Sequence, residues 1–193
     1  WSAVKRILRY LKGTNTYGLR LKASKDINIH AYSDSDWAND IDDRKSISGY
    51  CVYLGPNPIS WCTKKQPTIS KSSTEAEYRC IASTAAEITW IETLIWELGF
   101  ESTRKPIIWC DNLSAISLSM NPVQHARTEH MEIDLHLVRE KTGSSKLAIN
   151  HVPSYYQRAD FLTKALLARN FKRFREELRI FSADMENKED VKP

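Results

Sequence analysis

Two kinds of hydrophobic pattern divide the chain. Alternating apolar and polar residues, rich in β-branched and aromatic side chains, predict strands over residues 27–34, 46–55, 59–65, 106–110 and 146–153. Apolar residues at helical spacing, with capping and stop signals, predict helices over residues 1–12, 72–98, 112–120, 129–141, 156–166 and 170–180. This order predicts an α/β (α+β) fold, a mixed five-stranded sheet with three antiparallel strands followed by two parallel ones, flanked by helices.

The longest predicted helix orients two acidic residues differently. Glu77 lies on the apolar stripe of Ile81, Thr84, Ile88, Ile91 and Ile95, so we expect it to face the sheet. Glu75 lies on a weaker face and forms a capping-box pattern with Ser72. An inward acid needs a cation or hydrogen-bond donors, although Thr74 and Glu77 also match a second capping box.

Composition bounds the class of protein. A chain of 193 residues with 41% hydrophobic and 27% charged residues suits one soluble domain with appendages. It has no apolar run of roughly eighteen residues and no signal peptide, so we expect an intracellular protein, in the cytoplasm or in virus-like particles. It begins with Trp1 rather than Met, so we expect a piece of a longer polypeptide. The four cysteines, which lack C-x-x-C spacing, are expected to be buried free thiols: Cys51, Cys62, Cys80 and Cys110.

The charge distribution places basic flanks around an acidic centre. The net charge is +4. Residues 1–25 hold seven basic residues and no acid, residues 161–181 hold six basic residues against two acids, and residues 34–43 are acidic. Solvated helix faces would explain any one basic cluster, but together they suit a polyanion held near a metal site.

Four acidic residues carry the candidate chemistry. Asp34 closes a predicted strand, Asp111 follows one, Glu77 faces inward, and Asp160 lies inside a predicted helix. Taken singly, each has a structural alternative as a turn-opening residue, a cap or a surface acid. If the fold gathers them, two carboxylates about 4 Å apart repel by roughly 4 kcal/mol at an effective dielectric constant of about 20. Mg²⁺ binds such oxygens, so the set predicts a metal-dependent phosphodiester hydrolase.

Several motifs in order resemble one known family. DRKSISGYCVYLG, ISWCTKKQ, SSTEAEYRCIA, WCDNLSAI, HARTEHMEIDLHLVRE and QRADFLTKAL resemble the ribonuclease H region of copia-type retrotransposon polyproteins. The resemblance extends from about Ala3 to Ile180 and includes the segment AVKRILRYLKGT, which in that family joins the reverse transcriptase to this domain. It implies a connection remnant over residues 1–25, a ribonuclease H-like domain over 26–166, and a C-terminal helix with a disordered charged tail over 167–193.

The resemblance also implies an activity. It implies an endonuclease that cleaves the RNA strand of RNA–DNA hybrids during reverse transcription, with the upstream reverse transcriptase as a partner and no membrane. Two Mg²⁺ ions, replaceable by Mn²⁺, would be held by Asp34, Glu77, Asp111 and Asp160. Asp34 would bridge both ions, Glu77 and Asp111 would hold one, and Asp160 would complete the other.

The remaining polar residues give weaker predictions. Candidates for contact with the hybrid are Arg44, Lys45, Ser48, Lys64, Lys65, Lys71, Ser72, Ser73 and Asn112. The loop VPSYYQR lacks the mobile histidine of many ribonucleases H, and His151 is interpreted as structural, so no catalytic histidine is assigned. Three alternatives stay open: a non-catalytic nucleic-acid-binding remnant of a retroelement; another nuclease, such as an integrase or exonuclease, on the same fold; and an inert structural remnant of a pseudogene, which would fold poorly and bind no metal.

Overall fold

The computed structural model describes residues 1–100, 102, 104–120, 131–166 and 168–182. Along the chain its elements are α1 (Ser2–Thr14), β1 (Tyr17–Leu19), β2 (Ile29–Asp36), β3 (Ile47–Leu54), β4 (Asn57–Lys65), α2 (Ser73–Glu97), β5 (Ile107–Cys110), α3 (Leu113–Met120), α4 (Glu132–Gly143), β6 (Ala148–His151), α5 (Asp160–Thr163), α6 (Ala168–Glu177) and β7 (Ile180–Ser182). They form two units, Ser24–Ala165 and a smaller one that joins Trp1–Ala23 to the described residues from Leu166 onward. In these ranges no helix combines the length and hydropathy of a bilayer span.

The larger unit is built on a five-stranded sheet in the order β4-β3-β2-β5-β6. The β4–β3 and β3–β2 pairs are antiparallel, whereas β2, β5 and β6 are mutually parallel. The predicted fold class is therefore confirmed. Because β2 and β5 are parallel neighbours, their carboxyl ends lie at the same edge of the sheet, where ligand sites of such sheets form.

Helix α2 covers the sheet through the predicted stripe. It packs against β2 and β3 and is flanked by α3 and α4. Ile81, Thr84, Ile88 and Ile91 are buried, and burial of such side chains stabilises the fold by about 1.5–3 kcal/mol for each large aliphatic one. The hydroxyl of Ser72 accepts a 3.1 Å hydrogen bond from the Glu75 amide, and the Glu75 carboxylate accepts one of 2.9 Å from Lys71 N. The capping role of Glu75 is thus confirmed.

Helix α5 lies close to the sheet because β3 has a glycine beneath it. Gly49 pairs with Asp34 across the β2–β3 ladder. A Cβ atom at Gly49 would lie 2.7 Å from both Leu162 Cβ and Thr163 Cγ2. Thr63 Oγ1 donates a 3.0 Å hydrogen bond to the main-chain oxygen of Leu162. The missing side chain therefore lets α5 approach Asp34.

The smaller unit pairs two three-residue strands and two amphipathic helices. β1 and β7 are antiparallel, with Tyr17 opposite Ser182. The rings of Tyr10 in α1 and Phe171 in α6 meet edge to face, 6.5 Å apart. No side chain of α1 is buried, although its hydrophobic residues share one face.

Several predicted elements differ in extent from the observed ones. The helix predicted over 156–166 is only Asp160–Thr163, preceded by a 3-10 turn at Ser154–Tyr156, because side-chain hydrogen bonds of Gln157 hold the chain between them. The helix predicted over 170–180 ends at Glu177, since Arg179 takes φ of 59° and the next residues pair with β1. Strand β2 continues two residues past its predicted end.

Two further predictions fall partly outside the described residues. The helix predicted over 129–141 corresponds to α4, which begins at Glu132, and residues 121–130, with His125 and His130, lie outside the described ranges. The charged tail predicted to be disordered lies outside them from residue 183 onward. Strand β1, by contrast, is described and was not predicted from the sequence, because three residues give too little periodicity.

Candidate metal centre

Asp34 lies at the centre of the sheet edge, with 1% of its surface exposed. The Thr163 hydroxyl donates a hydrogen bond to Asp34 Oδ2, and Lys164 Nζ lies 3.2 Å from Asp34 Oδ1. Burial raises the pKa of Asp34 above its ordinary value, and Lys164 and Thr163 oppose this shift. A buried carboxylate with two such partners is typical of a functional site rather than of a turn.

Glu77 reaches the same edge from the first turns of α2. Its Oε1 accepts a 3.1 Å hydrogen bond from the main-chain amide of Ser35, the residue after Asp34. Burial, followed by the negative charge of Asp34, raises the pKa of Glu77 to about 9. The predicted inward orientation of Glu77 is therefore confirmed, and its carboxyl group needs a cation before it ionises at neutral pH.

Asp111 follows β5 and lies beside Glu77. Ligand atoms of Glu77, Cys110 and Asp111 all lie within 4.8 Å of one another. Ser154 Oγ donates a 2.7 Å hydrogen bond to Asp111 Oδ2. The Cys110 thiol is 3.9 Å from Glu77 Oε2, and burial followed by the Glu77 charge raises its pKa. Cys110 therefore stays protonated, so the carboxyl oxygens of Glu77 and Asp111 are the candidate metal ligands of this group.

Asp160 is the first residue of α5, not a mid-helix residue as predicted. Its Oδ1 lies 2.6 Å from Lys164 Nζ, so one ammonium group joins Asp160 to Asp34. Burial alone would lower the pKa of Lys164, but the carboxylates of Asp34 and Asp160 raise it overall. Lys164 was not singled out from the sequence; the available signal was its position four residues after an acid.

The four predicted acids thus form one connected group. Asp34 and Asp160 both form ion pairs with Lys164. Glu77 and Asp111 are neighbours, and the negative charges of Asp34 and Asp111 both raise the pKa of Glu77. Clustered carboxylate oxygens, two of them on the buried side chains of Asp34 and Glu77, suit a hard divalent cation such as Mg²⁺. These four residues would hold such an ion.

Two buried glutamines fix the surrounding chain. Gln66 Nε2 donates hydrogen bonds to Ser48 Oγ (2.8 Å) and to the main-chain oxygen of Ala76 (2.9 Å), which links β3 to α2 next to Glu77. Gln157 is fully buried and bonds to the main chain of β2 and β5. Sequence reasoning missed both, because an isolated glutamine in a loop gives no periodic signal.

The predicted hybrid-contacting residues fall into two sets. The side chains of the first set already have partners within the protein. Ser48 accepts a hydrogen bond from Gln66, Ser72 caps α2, and Asn112 Oδ1 accepts a hydrogen bond from the Ala115 amide. Lys45 and Lys65 form ion pairs with carboxylates of the loop before β3. Lys65 Nζ lies 2.6 Å from Asp40 Oδ2 and 2.9 Å from Asp43 Oδ2. The second set is exposed on the surface: Arg44, Lys64, Lys71 and Ser73.

Sequence comparison finds relatives of the chain among retrotransposon polyproteins. It is 48% identical over 174 residues to the retrovirus-related Pol polyprotein from transposon RE2 of Arabidopsis thaliana, and 51% identical over 172 residues to that from transposon RE1. These matches cover 90% and 89% of the chain but only 12% of each relative. No protein-family model matches the chain.

Structural comparison identifies the fold. The chain superposes on LC11-RNase H1, whose structure was determined in complex with an RNA/DNA hybrid, with a TM-score of 0.52 and 11% sequence identity. The match covers 75% of this chain and 99% of that one. At this identity the similarity establishes the fold, and the chemistry has to be argued from the residues of this chain.

Proposed function

Because the chain is homologous to a segment of copia-type retrotransposon Pol polyproteins and has the ribonuclease H fold, we propose that it is a metal-dependent endonuclease that cleaves the RNA strand of RNA–DNA hybrids. The observation that carries the proposal is the connected group of Asp34, Glu77, Asp111 and Asp160. Four acids separated by up to 126 residues in sequence (160 − 34) meet at one edge of the sheet. Their mutual repulsion favours bound cations.

Each acid would act through its position. Two Mg²⁺ ions, or Mn²⁺ in their place, would supply an activated water and stabilise the leaving oxygen. The Ser35 amide orients Glu77, and the Ser154 hydroxyl orients Asp111, so both carboxylates are held before substrate arrives. Asp34 and Glu77 are buried, so their carboxylates lie in a medium of lower dielectric constant than water. Their attraction to a bound cation is therefore stronger than it would be at the surface.

The exposed basic residues provide the proposed contacts with the hybrid. Arg44, Lys64 and Lys71 lie on the surface around the carboxyl edge of the sheet and would pair with backbone phosphates. Ser73 opens α2 and would contact phosphate or 2′-hydroxyl groups. These contacts depend on shape and charge rather than on sequence, which suits a nuclease that acts along a whole hybrid.

A reverse transcriptase earlier in the same polyprotein is the proposed partner. The chain spans about an eighth of the length of the curated relatives it matches. In those polyproteins, other segments of the same polypeptide could pack against the matching region. In α1, Val4, Ile7 and Leu8 are 46–58% exposed on one face. Exposed apolar side chains at helical spacing favour packing against another protein surface. We propose that this surface belongs to the reverse transcriptase.

Cleavage of a labelled RNA–DNA hybrid tests the function. The wild-type chain is expected to cut the RNA strand only with Mg²⁺ or Mn²⁺ present. The Asp111→Asn variant should cut at least about a hundredfold more slowly, because it loses a group that stabilises developing charge. Asp36→Asn is the matched control, because the Asp36 side chain accepts from Asn39 in the following turn. Equal cleavage by wild type and Asp111→Asn would contradict the assignment.

A substrate panel separates the alternatives. Tight hybrid binding without metal-dependent cleavage would favour a binding module over a nuclease. Preferential cleavage of double-stranded or single-stranded DNA would favour another nuclease on the same fold. We expect the hybrid to be cut and both DNA substrates to remain intact under the same conditions.

A further inference from the structure

One lysine occupies the position between two of the proposed metal ligands. Lys164 Nζ lies 2.6 Å from Asp160 Oδ1 and 3.2 Å from Asp34 Oδ1. The Asp34 side chain is 2% exposed, whereas that of Lys164 is 40% exposed. The ammonium group is thus anchored to a buried carboxylate, while the Lys164 side chain as a whole keeps access to solvent.

The other pair of acids is arranged differently. Within the part of the chain that the structure describes, no lysine or arginine forms an ion pair with Glu77 or Asp111. Glu77 accepts from the Ser35 amide and lies near the Cys110 thiol, and Asp111 accepts from the Ser154 hydroxyl. The two halves of the carboxylate group therefore differ: one is neutralised by a resident cation, and the other is not.

A metal ion and this ammonium group exclude each other. Mg²⁺ binds carboxylate oxygens at about 2.0–2.1 Å in a near-octahedral shell, which leaves no room for an ammonium group in contact with the same two oxygens. Two cations at this distance would also repel one another. Lysine suits such an exchange because its compact charge sits on a flexible four-carbon stem.

We propose that Lys164 is a built-in counter-cation that holds Asp34 and Asp160 together without metal and competes with one of the two metal ions for them. This inference rests on the proposed function, because it takes both acids as metal ligands. Binding of the ion at Asp34 and Asp160 moves the Lys164 ammonium group towards solvent. The affinity of this position is thereby weakened, whereas the position at Glu77 and Asp111 is filled first.

Calorimetric titration with Mn²⁺ alone tests the competition. Wild type is expected to show two binding events, and Lys164→Met is expected to tighten chiefly the weaker one, by roughly tenfold, because the ion no longer displaces an ammonium group. Lys146→Met is the matched control, an exposed lysine before β6 that is expected to leave both events unchanged. Lys164→Gln serves as a second variant if the methionine variant does not fold, and circular dichroism checks both.

A double substitution checks that the effect passes through Asp160. In an Asp160→Asn background, Lys164→Met is expected to change Mn²⁺ affinity much less than in the wild-type background. In EDTA, Lys164→Met alone is expected to have a lower melting temperature than wild type, since Asp34 and Asp160 then lack their cation. Equal Mn²⁺ affinities for wild type and Lys164→Met would overturn the competition and leave the proposed function standing. Failure of wild type to bind Mn²⁺ would overturn both.

Discussion

The side-chain amide of Gln157 donates a 3.0 Å hydrogen bond to the main-chain oxygen of Ser33, the residue before Asp34. The same amide group lies 3.4 Å from the main-chain oxygen of Trp109, and Gln157 Oε1 accepts a 3.1 Å hydrogen bond from the Ala159 amide. One buried side chain therefore ties the segment that leads to Asp160 to the ends of β2 and β5. Buried networks of this kind fix geometry as well as stability.

Replacing Gln157 is expected to loosen the site and the fold together. Gln157→Leu leaves buried main-chain groups of Ser33 and Ala159 without partners, which we expect to lower the free energy of unfolding by about 2–4 kcal/mol. Denaturant unfolding measures this loss, and hybrid cleavage should fall as Asp160 loses its position. Tyr155→Leu, at an exposed residue two positions earlier, is the control. An unchanged unfolding midpoint for Gln157→Leu would refute this role.

A methyl group at position 49 is expected to separate α5 from β3. In Gly49→Ala the new Cβ would meet Leu162 and Thr163 at 2.7 Å, so α5 has to move. We expect a loss of about 1–3 kcal/mol in the free energy of unfolding, typical of overpacking. Hybrid cleavage is expected to fall more than tenfold, because Asp160 moves away from Asp34.

The matched control for this substitution is Gly143→Ala. Nothing lies within 4 Å of a Cβ atom at Gly143, which ends α4. It should therefore retain wild-type cleavage and stability. If Gly49→Ala cuts the hybrid as fast as Gly143→Ala, the close approach of α5 is not required for the site.

The metal-free protein is expected to lose stability as pH rises. Glu77 has a pKa of about 9 when folded, against an ordinary value of 4.5, which applies to the unfolded chain. Between these values the folded state holds a proton that the unfolded state has released, so the free energy of unfolding decreases with rising pH. The contribution is fully present below about pH 4.5 and is lost as pH rises to about 9.

Melting temperatures in EDTA from pH 5 to pH 9 test this dependence. Glu77→Gln removes the titrating group, so its melting temperature should fall less than that of wild type over this range, by roughly 5 °C. Glu140→Gln, at a largely exposed side chain in α4, should follow wild type. Parallel curves for wild type and Glu77→Gln would show that Glu77 does not titrate in this range.

Two neighbouring lysines are expected to contribute unequally to hybrid binding. The Lys65 ammonium group is already paired with Asp40 and Asp43, whereas no described carboxylate pairs with Lys64. Lys64→Met is therefore expected to reduce the slope of log affinity against log salt by about one, as for a lost phosphate contact. Lys65→Met should change it less. Fluorescence anisotropy at several salt concentrations measures both, and a larger effect at Lys65 would reverse the assignment.

The sheet and its main helix were predictable because their signals are periodic. The stripe of Ile81, Ile88 and Ile91 fixes which side of α2 faces the sheet, and the same spacing identifies Glu77 as the inward acid. The alternation of apolar and polar residues likewise predicts strands β2, β3 and β4, with errors of up to about two residues at their ends. These errors arise because the hydrogen bonding of a strand often ends at a different residue from its hydrophobic pattern.

The arrangement around α5 was not predictable, because it depends on contacts between distant segments. Asp160 is placed by Gln157 and by the space above Gly49, and neither residue shows its role in the local pattern. Lys164 becomes a partner of Asp34 only after the chain has folded. The β1–β7 pair is similar, since each strand has three residues and is formed only by its partner.

The carboxylates come from four segments, and the last of them follows all five strands of the central sheet. During translation the ribosome therefore releases Asp34 long before Asp160. A nascent polypeptide that has not yet exposed residues 157–164 lacks both an acid and the glutamine that orients it. The proposed metal site can therefore assemble only after synthesis has passed residue 164.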